Sequence, residues 1–323
     1  MNQKVTFFLE LIENRIKNER IKKTPFNLYK PILYTLENGG KRIRPLLFLL
    51  TIDALGNKKD IDKFIDCALI LEFFHNSTLI HDDIMDEAET RRNKATVYKK
   101  WGRDIAILAG DVLLLTAFKF FHKIPKNILC KILNDFIDVT IKVCEGQQLD
   151  LDYQKIKSIK IKQYYKMIRL KTAELLAFSL KFAGLLLNKE LSTIKTLYKI
   201  GINLGLAFQI QDDYLDVYGN EEKFGKKIGN DIICAKKNFL YVKALSCLNE
   251  KDKFEFIKLY HDNDPSKVSK IVSIYNNINL NQLVIQELSF LKQKILKDFE
   301  ILSKKYNVIT LKEFCLSLMD RDK

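Results

Sequence analysis

The chain has 323 residues, 47% of them hydrophobic, enough to bury a large core without disulfides. Its six cysteines (Cys67, Cys130, Cys144, Cys234, Cys247 and Cys315) form no CxxC pair and it has four histidines, which argues against a zinc site or a disulfide framework and suits a reducing compartment. The formal charge of +14 comes from lysines spread along the chain rather than gathered in one basic stripe, so no nucleic acid is expected as a partner.

The first stretch, MNQKVTFFLELIENRIKNER, carries charges through its apolar positions and does not read as a signal peptide. The longest apolar runs are broken by charge short of a membrane-spanning length, so a cytoplasmic chain with no stable membrane insertion is expected. Helical 3.6-residue spacing recurs almost everywhere, and no proline occurs between Pro125 and Pro265. An apolar run, LILEFFHNSTLI from Leu69 to Ile80, leads into the charged stretch HDDIMDEAETRR from His81 to Arg92. Further on, Ile128, Ile132, Phe136, Val139 and Val143 recur at helical intervals, as do Leu197, Ile200, Leu204, Phe208 and Gln211. The second of these segments is apolar enough to predict a buried central helix. No linker rich in Ser, Gly or Pro divides the chain, which predicts one all-α domain over residues 1–323.

Two of the apolar helices end in the same pattern. Asp82, Asp83 and Asp86 form one DDxxD, and Asp212, Asp213 and Asp216 form another. On a helix, i and i+4 share a face, so Asp82 pairs with Asp86 and Asp212 with Asp216. Carboxylates one turn apart repel, and at a helix C-terminus they also oppose the macrodipole. A solvated acidic helix end explains one such cluster; two with identical spacing point to a bound cation. Mg²⁺ fits, because it takes a few carboxylates and completes its octahedron with water and phosphate oxygens. A phosphate ligand requires cations, and these are present as Lys41, Arg42 and Arg44, Arg91 and Arg92, Lys171, and Lys226, Lys227 and Lys236.

The order of these segments resembles the trans-isoprenyl diphosphate synthase (polyprenyl synthetase) family. GGKRIRP is similar to that family's GGKRxRP, HDDIMDEAETRR to its first aspartate-rich motif, KTAEL to its KT motif, FQIQDDYLDVYG to its second aspartate-rich motif, and FGKKIGNDIICAKKN to the lysine-bearing tail. The resemblance implies a single large helical bundle around a central active-site cavity, usually a homodimer. It also implies a Mg²⁺-dependent condensation of isopentenyl diphosphate with an allylic diphosphate. Three positions depart from the pattern: Asn93 follows Arg92 where RRGxP is usual, Asn238 ends a KKT-like triplet, and Tyr98 stands where a histidine is common.

Carried onto this chain, the resemblance makes Asp82, Asp83, Asp86, Asp212, Asp213 and Asp216 the metal-binding carboxylates. Arg91, Lys171, Lys226 and Lys236 would contact the allylic diphosphate. Lys41, Arg44, His75 and Arg92 would bind isopentenyl diphosphate without metal. Thr172, Gln209 and the Lys171 carbonyl would line the path of the carbocation. His75 alone reads equally as a satisfied core histidine; its place two turns before Asp82 is where the family has a His or Gln ligand.

Product length is predicted from the helix beneath Asp82, where one turn advances about 5.4 Å, close to one isoprene unit. Ser77 and Thr78 are small, and Phe74, two turns down, is the first obstruction. This predicts geranylgeranyl diphosphate, with farnesyl diphosphate next. Two alternatives share parts of the pattern: a non-catalytic subunit of a heteromeric synthase, which usually loses one aspartate cluster, and a class I terpene cyclase, in which GGKRIRP would have no role.

Overall fold

The computed structural model describes residues 2–19, 21, 24–219 and 229–320. The chain packs as two compact units, one of Met1–Ile137, Phe178–Leu197 and Leu302–Phe314, the other of Asp138–Ala177, Tyr198–Ile301 and Cys315–Lys323.

The first unit begins with α1 (Gln3–Lys17), α2 (Phe26–Glu37), α3 (Ile43–Leu55) and α4 (Lys58–Met85). A hairpin of β1 (Thr90–Arg91) and β2 (Lys94–Ala95) follows, then α5 (Val97–Trp101), α6 (Arg103–Lys119), a 3₁₀ turn and the start of α7 (Lys126–Gln154). Asn57 and Asp60 close a capping box at the start of α4. From Phe64 the helix is buried nearly all round, as its continuous apolar run requires, and packs against α3 and α6. Sequence periodicity gave no strand, and among the described residues the structure adds only this two-residue pair, whose partners are Thr90 with Ala95 and Arg91 with Lys94.

One membrane-related expectation needs correction. The stretch Arg103–Lys123 is long and apolar enough, by length and composition, to cross a membrane. In the fold, Ala106, Ala109, Leu113 and Ala117 are buried along α6, which packs on α4, so packing accounts for one face of it while Ile107, Leu108 and Leu115 stay exposed.

The second unit holds the rest of α7, then α8 (Ile161–Ile168), a π-helical turn at Arg169–Ala173 and the start of α9 (Glu174–Leu186). It continues with α10 (Leu191–Tyr218) from Tyr198, α11 (Asn230–Ile233), α12 (Phe239–Cys247), α13 (Glu250–Tyr260) and α14 (Lys267–Asn277). Most of α15 (Leu280–Ser303) and the end of α16 (Ile309–Met319) complete it. Leu197, Ile200 and Leu204 are fully buried, as their spacing predicts for α10.

Candidate active site

In the first unit, the glycines of GGKRIRP form the turn between α2 and α3. Gly39 has φ +69° and Gly40 φ +143°, conformations that side chains other than glycine rarely adopt. A Cβ on Gly40 would lie 2.7 Å from the Arg92 guanidinium, and Arg92 donates a hydrogen bond to the Gly39 carbonyl. The diglycine is therefore needed to seat Arg92. Lys41 is exposed beside it.

Arg44 lies half-buried on the first turn of α3, and its Nε has no hydrogen-bond partner among the described residues. Desolvation lowers its pKa to about 10, with Arg92 adding to the fall and Glu72 and Asp82 opposing it. His75 is pushed well below the usual histidine range, first by burial and then by Arg44, Arg92, Arg91 and Arg42. It is therefore neutral, a hydrogen-bonding group amid guanidinium groups. Arg42 and Arg91 are ion-paired, with Glu13 and Glu72 and with Asp83, so a diphosphate would complete Arg44, whose Nε has no partner, and Arg92, which bonds a backbone carbonyl.

The first aspartates close α4. The Asp86 N–H donates to the Asp82 carbonyl at 2.8 Å, and Asp86 is the C-terminal cap. The last turn of α4 contains no basic residue, so the carboxylates stand against the helix dipole. Asp83 differs from the other two: it is buried and takes the Arg91 Nε–H at 2.7 Å. Burial raises its pKa, Arg91 opposes the rise, and Asp82 and Asp86 add to it.

The Asn93 departure has a local reason to be tolerated. Arg92 (φ +53°) and Asn93 (φ +60°) are the two central residues of the hairpin turn, both left-handed as a type I′ turn requires. Asparagine adopts this conformation readily. Asn93→Gly should leave activity and Tm close to wild type, whereas Asn93→Val should lose about 1–2 kcal/mol, measured by urea denaturation.

In the second unit, Lys171 and Thr172 sit on the π-helical turn, a local widening often found at functional sites. Gly146 on α7 permits it, since a Cβ there would lie 2.2 Å from the Lys171 backbone nitrogen. Lys171 Nζ donates to Asp150 at 2.5 Å. The Thr172 hydroxyl donates to Gln209 Oε1 at 2.9 Å, and Gln209 Nε2 donates to Asp213 Oδ1 at 3.0 Å. Asp213 Oδ2 takes the Tyr164 hydroxyl at 2.6 Å and the Phe239 N–H at 2.7 Å. Burial, followed by nearby Asp231, pushes the Asp213 carboxyl up to about 7. Asp212 is exposed, while Asp216 is half-buried and takes the Asp231 N–H at 3.0 Å.

Lys236 follows α11, its carbonyl held by the Tyr260 hydroxyl at 2.8 Å. Asn238 caps α12 by accepting the Tyr241 N–H at 3.0 Å and also donates to Asp231. An N-cap accepts threonine or asparagine alike, which explains the KKN departure. Lys226 and Lys227 lie outside the described residues.

Among the described residues, no three acidic, histidine or cysteine side chains converge to hold an ion by themselves. Taken unit by unit, Asp82 and Asp86 in the first and Asp212 in the second are oxygen donors of the kind that suits Mg²⁺, which is usually bound through one or two carboxylates plus phosphate oxygens. Sequence reasoning took Arg42 as a cation for phosphate, but its guanidinium is buried on Glu13, Glu72 and the Leu36 carbonyl; it missed Glu72 and Tyr164, which make buried hydrogen bonds beside these groups. Glu72 gave a signal, as a lone charge within the run LILEFFHNSTLI.

The polyprenyl synthetase family pattern matches residues 26–278. The chain belongs to the polyprenyl synthetase family. This family member is 36% identical over 269 residues to a short chain isoprenyl diphosphate synthase of Methanothermobacter thermautotrophicus, covering 83% of this chain and 82% of that one. It is 39% identical over 245 residues to a geranylgeranyl pyrophosphate synthase of Geoglobus acetivorans, covering 73% and 76%. The crystal structure of geranylgeranyl pyrophosphate synthetase from Pyrococcus horikoshii superimposes with a TM-score of 0.91 at 31% identity, covering 99% of this chain and 98% of that one.

Proposed function

We propose that residues 1–323 act as one cytoplasmic trans-prenyltransferase domain that condenses isopentenyl diphosphate with C5 to C15 allylic diphosphates. The observation that carries this reading is the set of guanidinium groups around a neutral His75, Arg44 among them with an unpartnered Nε, on the same helix that ends in clustered carboxylates. When bound with the diphosphate, Mg²⁺ supplies Lewis-acid polarisation of the departing group. Asp82, Asp83, Asp86, Asp212, Asp213 and Asp216 are the carboxylates available to hold it. Among them, Asp82, Asp86 and Asp212 are accessible, while Asp83 and Asp213 keep their neighbours aligned through their hydrogen bonds. Lys171, Arg91, Lys226 and Lys236 neutralise the allylic diphosphate, and Lys41, Arg44, His75 and Arg92 bind isopentenyl diphosphate. Thr172 and Gln209 offer oxygen dipoles to the cation formed when the allylic C–O bond breaks, and released diphosphate takes the final proton.

The test is a product assay by mass spectrometry, with isopentenyl diphosphate, Mg²⁺ and each allylic primer in turn. Elongation that stops in EDTA supports the proposal; no elongation by folded protein sinks it. Because His75 is neutral, KM for isopentenyl diphosphate should not follow its titration between about pH 6 and about pH 8, and His75→Gln should raise that KM only severalfold.

Geranylgeranyl diphosphate is the product this reading favours. Ser77 and Thr78 return their hydroxyls to the carbonyls of Phe74 and His75, so both present small, satisfied side chains. Phe74 is buried edge-on against Phe136 at 5.5 Å, and Phe136 in turn touches Phe118, Phe121 and Phe178. The floor is thus an aromatic cluster rather than one ring. Phe74→Ala should lengthen the product and lower stability by about 3–5 kcal/mol, read by product chromatography and calorimetry.

The synthase would work as a homodimer. Leu108 and Leu115, two turns apart on α6, are 55% and 64% exposed and offer an apolar face to a second copy.

A further inference from the structure

Arg42 has no role in the reading above, yet it is the most enclosed cation near the glycine turn. Its side chain is fully buried, and its backbone is left-handed at φ +44°. A residue with a Cβ persists there only when its surroundings hold it. Here, Nε donates to Glu13 on α1 at 2.7 Å and Nη1 to Glu72 on α4 at 2.6 Å, while Nη2 donates to the Leu36 carbonyl near the end of α2 at 2.6 Å. One guanidinium thus ties three helices to the residue that ends the glycine turn. Glu72 is buried as well, and the same oxygen, Oε1, also takes the Asn76 amide at 2.8 Å. The turn so clamped carries Lys41 and, through the Gly39 carbonyl, holds Arg92.

We propose that Arg42 and Glu72 are positioning residues for the isopentenyl diphosphate subsite: they touch no substrate, but fix the Gly39–Lys41 turn so that Lys41 and Arg92 are preorganised. This rests on the functional reading given above. It also separates from two other roles for the same pair. Glu72 places a negative charge near Arg44 and Arg92, so a pure field effect predicts that removing the charge tightens anion binding. A purely structural role predicts a lower Tm with both substrates affected alike.

The experiment measures KM for isopentenyl diphosphate and for the allylic diphosphate separately, with kcat and Tm, in wild type, Glu72→Leu, Glu72→Gln and Arg42→Lys. Positioning predicts that Glu72→Leu raises the isopentenyl KM about tenfold while the allylic KM stays within about twofold. Glu72→Gln keeps an oxygen for both donors and should hold the isopentenyl KM near wild type. Arg42→Lys keeps the charge but cannot reach three acceptors, and should raise it. An isopentenyl KM that falls in both Glu72 variants, or is unchanged in Arg42→Lys, overturns the proposal, as does a parallel rise in both KM values. Should Glu72→Leu not fold, Glu13→Ala at the half-exposed end of the clamp provides the reading: a rise of about threefold or more supports the proposal, and none overturns it. A wild-type chain that elongates no primer would overturn the functional reading along with it; an active wild type with unmoved variants would overturn this inference alone.

Discussion

Asp82→Ala should lower kcat by about 10²–10³-fold while leaving stability within about 1 kcal/mol of wild type. The two effects have different sources. On the proposed reading, Asp82 at the end of α4 would help to hold the cation that neutralises the departing diphosphate. In the resting fold, repulsion from Asp86 one turn away and opposition to the dipole, about 0.3–1 kcal/mol, are offset by the attraction of Asp82 to the Arg44 guanidinium. Calorimetry and the product assay on one preparation check both. Turnover near wild type at saturating Mg²⁺ would falsify the role assigned to Asp82.

Asp213→Ala should behave in the other way, losing stability as well as activity. Its carboxylate takes three hydrogen bonds, from Tyr164, the Phe239 backbone and Gln209, in a buried setting. Tyr164 and Gln209 can turn toward other partners, but the Phe239 N–H cannot. An orphaned buried donor costs about 1–3 kcal/mol, so a total loss of about 3 kcal/mol is expected by urea denaturation. Asp213→Asn keeps one acceptor oxygen and should lose roughly half as much. Asp212→Ala, at an exposed position, should cost activity with little change in stability. Equal stability losses for Asp212→Ala and Asp213→Ala would show that the two positions do not divide the work in this way.

The aspartate clusters and the all-α class were legible because they rest on spacing along single helices, and helical periodicity is a property of the chain itself. The two asparagine departures became intelligible only with backbone angles and caps in hand, since Asn93 and Asn238 are suited to their places by φ and by N-cap geometry rather than by any chemistry of the motif. The apolar stretch Arg103–Lys123 marks the opposite limit: composition alone makes it a membrane candidate, and only its packing on α4 gives the apolar face another partner.

By itself, the sequence determined the all-α class and which residues are candidates for the chemistry: the carboxylates at i and i+4, the run of cations, and the small residues beneath Asp82. Tertiary structure decided which of those identical-looking groups are accessible and which are spent on hydrogen bonds. Asp82 and Asp83, or Asp212 and Asp213, are adjacent and alike in the sequence, yet one of each pair is accessible and the other is buried with its partners. It also brought Arg42 to Glu13 and Glu72, residues 29 and 30 positions away. Pairing at that separation depends on how separate helices pack, and no local pattern in the chain encodes it.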